Sequence, residues 1–416
     1  MSQSPWGERP LEHGLRNCKT RQGGELFGAE VQVCGGRQVA CRTTAGEPPA
    51  PFWLACQPSK TGSAQQIILP AAVSRRTNPP CRGQTVPDAF RVTVLSDVHY
   101  ASVGEQARRG YEVRVIRRRL HKVLVRSWRR LIWLKDPLAH NHLLDRFCAE
   151  AGEPDLVVAN GDYSCDSAFV GVSDDAAFAS AALVLERLRA RFPGRLLAVL
   201  GDHELGKMSL AGRVGGPRLA SWERATNELG LQPFWMREAG PWVLLGVAST
   251  LLALPVYEAE TRPEERAGWW RLRERHLQQI HEGLAELGRD RRLILFCHDP
   301  TALPLLWEEA GVRARLGQLE ATVIGHLHTD LILWLSRLLA GMPEIGFLGQ
   351  AIRRMSRALH QARRWRDLKV RLCPSLAGCE LLKDGGYLTL TLPTDGRPGR
   401  WTRHWLPWKA EPESRV

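Results

Sequence analysis

Arg91-Val-Thr-Val-Leu95, running into Ser96-Asp97-Val98-His99, is a short apolar strand that ends in a loop carrying one carboxylate and one imidazole. The design recurs four times down the chain. Asp155-Leu-Val-Val-Ala159 ends in Asn160-Gly161-Asp162, and Arg195-Leu-Leu-Ala-Val-Leu200 ends in Gly201-Asp202-His203-Glu204. Arg292-Leu-Ile-Leu-Phe296 ends in Cys297-His298-Asp299-Pro300, and Ala321-Thr-Val-Ile324 ends in Gly325-His326-Leu327-His328. Helical periodicity over Ala176–Arg191 and Ala267–Leu287 falls between strands, and the alternating run Gly386-Tyr-Leu-Thr-Leu-Thr-Leu392 predicts a closing antiparallel strand. Strands that alternate with helices predict an α/β domain. Each polar cluster falls at the C-terminal end of its strand, where open α/β sheets gather their ligands.

Singly, these clusters decide nothing. With 16 Asp and 13 His in 416 residues, chance alone supplies about 0.5 Asp-x-His and about 0.04 Gly-His-x-His. Five clusters in order, each at a strand end, are a different matter. Together they offer Asp97, Asp162 and Asp202 with His99, His203, His298, His326 and His328. Imidazoles and carboxylates without a thiolate suit Mn²⁺, Fe or Zn²⁺. The set exceeds what one ion needs, so two divalent metal ions are expected, with one aspartate shared between them.

Taken in series, Asp97-x-His99, Gly161-Asp162, Gly201-Asp202-His203-Glu204, His298-x-Pro300 and Gly325-His326-x-His328 resemble the calcineurin-like metallophosphoesterase superfamily, over residues 90 to about 393. The resemblance implies a four-layer α/β/β/α sandwich with a dinuclear metal centre at one edge. It implies that Asp97, His99 and His328 hold the first metal and that Asp162 bridges. Asp202, His298 and His326 would hold the second, and His203 resembles the catalytic histidine that faces the scissile phosphate. One position departs from the pattern: Asp202 stands where the family has Asn. A carboxylate still binds hard divalent ions, but its added negative charge should make the metal pair less electrophilic.

The function so implied is metal-dependent hydrolysis of a phosphate ester, with a metal-bridging hydroxide attacking phosphorus in line. A protonated His203 would serve the leaving oxygen. Monoesters, diesters, pyrophosphates and lipid-linked phosphates all fit as substrate. The competing expectation is a non-catalytic or weakly active module that docks a membrane or a partner through basic helices.

Those helices account for the charge. Of the formal +13, residues 101–150 hold twelve Lys and Arg against five Asp and Glu, and residues 331–371 hold nine against two. The rest of the chain is close to neutral, so the basicity belongs to two insertions and not to the fold. Over residues 113–134, Ile116, Leu120, Val123, Leu124, Leu131 and Leu134 share one side of an expected helix, opposite Arg118, Arg119, Lys122, Arg126, Arg129 and Arg130. Over the second segment, Ile345, Leu348, Ile352, Met355 and Leu359 oppose Arg353, Arg354, Arg357 and Arg364. One reading packs each apolar stripe on the core and leaves the arginines in water. A second lays the helices, with Trp128, Trp133, Trp334 and Trp365 beside them, on an anionic membrane surface. Nucleic acid is not an expected partner, because no aromatic-and-basic strand pattern accompanies the charge.

Other features bound the organisation. The longest apolar candidate, Trp242–Leu254 between Pro241 and Pro255, is too short to span a bilayer. The first ten residues lack a secretory pattern, and the ten cysteines form no CxxC pair. A cytoplasmic protein is expected, peripheral to the inner membrane face on the second reading. Residues 1–88, rich in Gly, Pro, Ser and Thr, are expected to be a disordered leader or an over-extended start. The catalytic domain is expected over 89–395, with a tail over 396–416.

Overall fold

The computed structural model describes residues 89–209, 213–345 and 350–409, so the leader expected over 1–88 lies outside the described residues. Ten strands are described: β1 (Ala89–Leu95), β2 (Leu156–Ala159), β3 (Leu196–Ala198), β4 (Phe234–Ala239), β5 (Trp242–Val247), β6 (Arg292–Cys297), β7 (Leu319–Ile324), β8 (Val370–Leu372), β9 (Gly385–Pro393) and β10 (Arg400–Leu406). They form two five-stranded sheets, ordered β10-β9-β1-β2-β3 and β4-β5-β6-β7-β8. β1, β2 and β3 run parallel, as do β5 through β8, while β9 returns antiparallel beside β1.

Side-chain alternation sets the layers. Odd and even positions of a strand point to opposite faces. In β5 and β6, Trp242, Leu244, Ile294 and Phe296 join Val92, Val94, Val158 and Leu390 of the other sheet in one core between the sheets. Their neighbours Val243, Leu245, Leu293 and Leu295 face outward into a second core under helices. Strands buried on both faces need continuous apolar runs, and these strands have them. The principal helices are α1 (Arg119–Leu131), α2 (His142–Glu150), α3 (Asp175–Arg191), α4 (Arg266–Glu286), α5 (Asp330–Leu338) and α6 (Gln350–Gln361). α2 and α3 cover the first sheet through Phe147, Leu185 and Leu188. α4 covers the second through Ile280 and Leu284. The result is the four-layer α/β/β/α sandwich expected from the sequence. No helix among the described residues is long and apolar enough to cross a membrane.

The apolar run Trp242–Leu254, too short to span a bilayer, is strand β5 followed by short helical turns, buried throughout. Two features differ from expectation. The sheet continues past residue 395, because β10 pairs antiparallel with β9 as far as Leu406. The helix expected over 113–134 is broken. A single turn at Tyr111–Arg114 is followed by α1, and the buried Ile116 and Leu134 bracket α1 and do not belong to it.

One buried histidine ties stability to pH. His276 of α4 accepts the Ala248 N–H at 3.1 Å, and burial pushes its pKa down to about 4. The fold therefore holds it neutral, whereas the unfolded chain protonates it near the ordinary imidazole value. Stability is fully present above that value and is lost as pH falls toward 4, by about 3 kcal/mol for this group. Denaturant midpoints at pH 7 and pH 4.5 should show a smaller acid loss in His276→Gln than in the parent. An equal loss would remove His276 as the cause.

Candidate metal centre

The loops after β1, β2, β3, β6 and β7 are stitched together by their own backbone. Asp97 and His99 donate their N–H groups to the carbonyls of Gly161 and Asp162 at 3.0 and 3.1 Å, and Gly325 donates to the carbonyl of His298 at 3.0 Å. Gly161 and Gly201 let two of these loops touch: a Cβ on Gly161 would lie 2.8 Å from the Gly201 backbone, and one on Gly201 would run into the Asp162 carboxylate. Asp97, His99, Asp162, His326 and His328 all have φ between 46° and 62°. Such left-handed backbone costs a non-glycine residue roughly 1–3 kcal/mol and persists where the surrounding structure imposes it, most often at functional sites. Five of the eight residues singled out in the sequence carry this strain.

All eight come together. Asp162, Asp202, His298 and His326 form one group whose ligand atoms lie within 4.8 Å of one another, and Asp97, His99 and His328 form a second. Asp162 also groups with His99 and His203. His298 Nε2 lies 3.1 Å from Asp162 Oδ2 and 3.4 Å from Asp202 Oδ1, and His326 Nδ1 lies 3.1 Å from Asp202 Oδ1. The His203 and His99 rings meet in a T-shaped contact, with centroids 4.8 Å apart, and His203 Nε2 is 3.8 Å from Asp162 Oδ2.

The donor set fits cations. Nδ1 of His298, His328 and His99 each faces a backbone carbonyl, of Asn160, Gly378 and Ser164, at 2.6, 3.2 and 3.3 Å. Each Nδ1 must therefore donate, which aims the opposite nitrogen into the cluster. Nε2 of His99 and Nε2 of His328 face each other at 3.1 Å. Two lone pairs at that distance repel unless a cation or a proton lies between them. Burial, then the neighbouring imidazoles of His203 and His328, hold His99 well below its ordinary pKa, and burial brings His328 down to about 4. Both rings are thus neutral and free to ligate at neutral pH. His298 runs the other way. Burial would lower its pKa, but the carboxylates of Asp162 and Asp97 hold it well above the usual range. In the metal-free protein a proton there answers the buried aspartates.

Several supporting residues have roles that no pattern in the sequence announces. The buried Glu204 carboxylate accepts N–H groups from Asp162, Tyr163 and Gly201 at 3.0, 2.7 and 2.9 Å, which locks the β2 and β3 loops together. Lys207 Nζ lies 2.8 Å from Asp202 Oδ2, so the extra negative charge at position 202 does not stand alone. Arg354 was expected on a solvated face of the second basic segment. It turns inward to form a two-point pair with Glu260 at 2.8 and 3.0 Å and packs over the Tyr257 ring. Arg129 likewise turns in to pair with Glu112. Leu348 lies outside the described residues, as does the side chain of Ile352. Trp133 packs on His328, with ring centroids 4.4 Å apart. A cavity of about 580 Å³ opens over the cluster and takes in His203, Lys207 and Arg354.

The calcineurin-like phosphoesterase family matches residues 90–330, more than half of the chain. The chain belongs to that family and is a phosphoric ester hydrolase of the metallophosphoesterase type. Among solved structures, a dimetal phosphatase from Danio rerio aligns at 16% identity and a TM-score of 0.39, covering 77% of this chain and 96% of its own. A phosphopantetheinyl hydrolase from Mycobacterium tuberculosis aligns at 16% identity and 0.28, covering 58% and 84%. A purple acid phosphatase from yellow lupin aligns at 14% and 0.29, covering 60% and 39%. A search of curated proteins finds no match to this sequence.

Proposed function

We propose that this chain hydrolyses a phosphate ester with two divalent ions, of Mn²⁺, Fe or Zn²⁺ character, held by the two groups of clustered ligands. Asp97, His99 and His328 would hold one, Asp202, His298 and His326 the other, and Asp162 both. The observation that carries this reading is the 3.1 Å approach of two neutral imidazole nitrogens beside three buried aspartates, a set that needs positive charge at its centre. When bound, such ions supply Lewis acidity to the phosphate oxygens and acidify a water.

The chain's own residues supply the rest. His203 lines the cavity beside His99, where a protonated imidazole would stabilise or protonate the leaving oxygen. Its backbone N–H donates to Asp162 Oδ1 at 3.0 Å, so the carboxylate that groups with His298 and His326 on one side and with His99 on the other would also position the acid. Lys207 and Arg354 place two cationic groups on the cavity wall, suited to an anionic substrate. The buried Asp97 carboxylate accepts the His326 N–H at 3.0 Å, coupling the β1 and β7 loops.

Chelation tests the reading. Dialysis against EDTA should abolish hydrolysis of an aryl phosphate, and Mn²⁺ should restore it with a stoichiometry of two ions per chain. Undiminished turnover in a protein shown by elemental analysis to be metal-free would sink the proposal.

A further inference from the structure

The expectation that α1 packs its apolar stripe on the core fails in the structure, and the failure is informative. Leu120, Val123, Leu124 and Leu131 are 57–68% exposed, and no residue of α1 is buried. α5 does the same, leaving Trp334 and Leu338 at 58% and 66%. Both helices flank the mouth of the metal-centre cavity. Val125 and Trp128 of α1 and Ile332 and Leu335 of α5 line it, so each helix turns one side to the cavity and another to solvent. Inside, Trp128 stacks at 6.3 Å on Trp133, which packs on His328, so an apolar wall runs from the surface to a metal-site histidine.

We propose that the exposed faces of α1 and α5 dock on an anionic lipid bilayer, and that the substrate is an amphiphile: a phosphate ester whose hydrocarbon portion lies along the apolar cavity walls. The substrate half rests on the phosphoesterase reading above; the docking half does not.

Charge selects the occupant. Arg119, Arg126 and Arg130 are exposed along one border of the α1 stripe, and α1 contains no acidic residue. An apolar stripe rimmed by arginines matches acyl chains beneath anionic headgroups. A second copy packed antiparallel against it would set arginines against arginines, which disfavours that homodimer through this face. The cavity supports the substrate class, because Ile116, Leu134, Leu339 and Met355 wall the space above the metal centre. A small hydrophilic ester leaves those walls in contact with water.

The full chain, loaded with Mn²⁺, is sedimented with vesicles of phosphatidylcholine alone or with one third phosphatidylglycerol. It should pellet with the anionic vesicles and release at high salt, since the attraction is screened within a Debye length. Arg119→Gln/Arg126→Gln/Arg130→Gln should weaken vesicle binding about 100-fold, at roughly fivefold per charge. Leu124→Gln/Leu131→Gln should also weaken it. Both variants should hydrolyse a soluble aryl phosphate like the parent, and both should lose turnover of a long-chain lipid phosphate in vesicles relative to its short-chain soluble analogue. No pelleting with either vesicle, equal pelleting with both, or a solution dimer abolished by Leu124→Gln/Leu131→Gln would overturn the docking proposal. Preference for the short-chain ester in the vesicle-bound parent would overturn the substrate class. Absent turnover of the soluble ester marks a failure of the phosphoesterase reading alone, and sedimentation then still decides docking.

Discussion

Asp162→Asn should lower phosphate-ester turnover at least ~100-fold and reduce the metal held by both groups at once. A residue one shell out from a metal already costs about 10–100-fold when replaced, and a ligand shared by two ions costs no less. Three interactions converge on this carboxylate. Oδ2 is 3.1 Å from His298 Nε2 and 3.8 Å from His203 Nε2, while Oδ1 accepts the His203 N–H at 3.0 Å. Burial and the neighbouring Asp202 push its pKa up, but His298 and His203 outweigh them and hold it below the usual carboxylate range. It is therefore charged at neutral pH. The amide keeps the shape and one acceptor but removes the charge, so metal affinity should fall. Elemental analysis after gel filtration reads the metal content, and a soluble aryl phosphate reads turnover. Two ions per chain with near-normal rates would show that Asp162 is not shared.

What the sequence makes readable here is the strand-end chemistry. Apolar runs such as Arg91–Leu95 and Arg292–Phe296 leave few alternatives to a buried strand, and a Gly beside Asp or His at the end marks a loop that must turn sharply. β1, β2, β3, β6, β7 and β9 follow from that local pattern, and so does the gathering of the eight candidate residues at the strand ends. β5 did not, because its apolar run continues without a break into the turns after Ala248, and periodicity cannot place the boundary inside such a run. β8, three residues long, offers too little pattern to find. The amphipathic character of α1 is plain in the sequence, but which side faces the protein is a tertiary fact, and here the apolar side faces out. Lys207 and Arg354 were invisible for a related reason. A cation is read by default as solvated surface, and only the fold brings Arg354 to Glu260, 94 residues earlier in the chain.

Lys207→Met should destabilise the metal-free protein by about 3 kcal/mol, the low end for breaking a buried ion pair, because Lys207 keeps some contact with solvent. The reason lies in the departure at position 202. The Asn of the family pattern would need no counter-charge, whereas the Asp202 carboxylate, almost wholly buried, faces Lys207 Nζ at 2.8 Å. Burial would raise the Asp202 pKa, yet Lys207, then His326 and His298, hold it well below the usual range. Burial would likewise lower Lys207, and Asp202 and Asp162 hold it up. Each charge exists because of the other. Asp202→Asn alone strands the lysine and should cost less, since an ammonium at 28% side-chain exposure can reach water. The double variant Asp202→Asn/Lys207→Met removes both charges and should recover most of the loss, giving a coupling of about 2 kcal/mol between neighbours that touch. Mn²⁺ should then rescue Lys207→Met more than the parent, because a cation among the ligands repays the carboxylate for the missing ammonium. Urea midpoints in EDTA and in Mn²⁺ for the four proteins read every step of this cycle. Losses that simply add would mean that Lys207 and Asp202 are neighbours without being partners, and that the extra carboxylate is balanced by His298 and His326 alone.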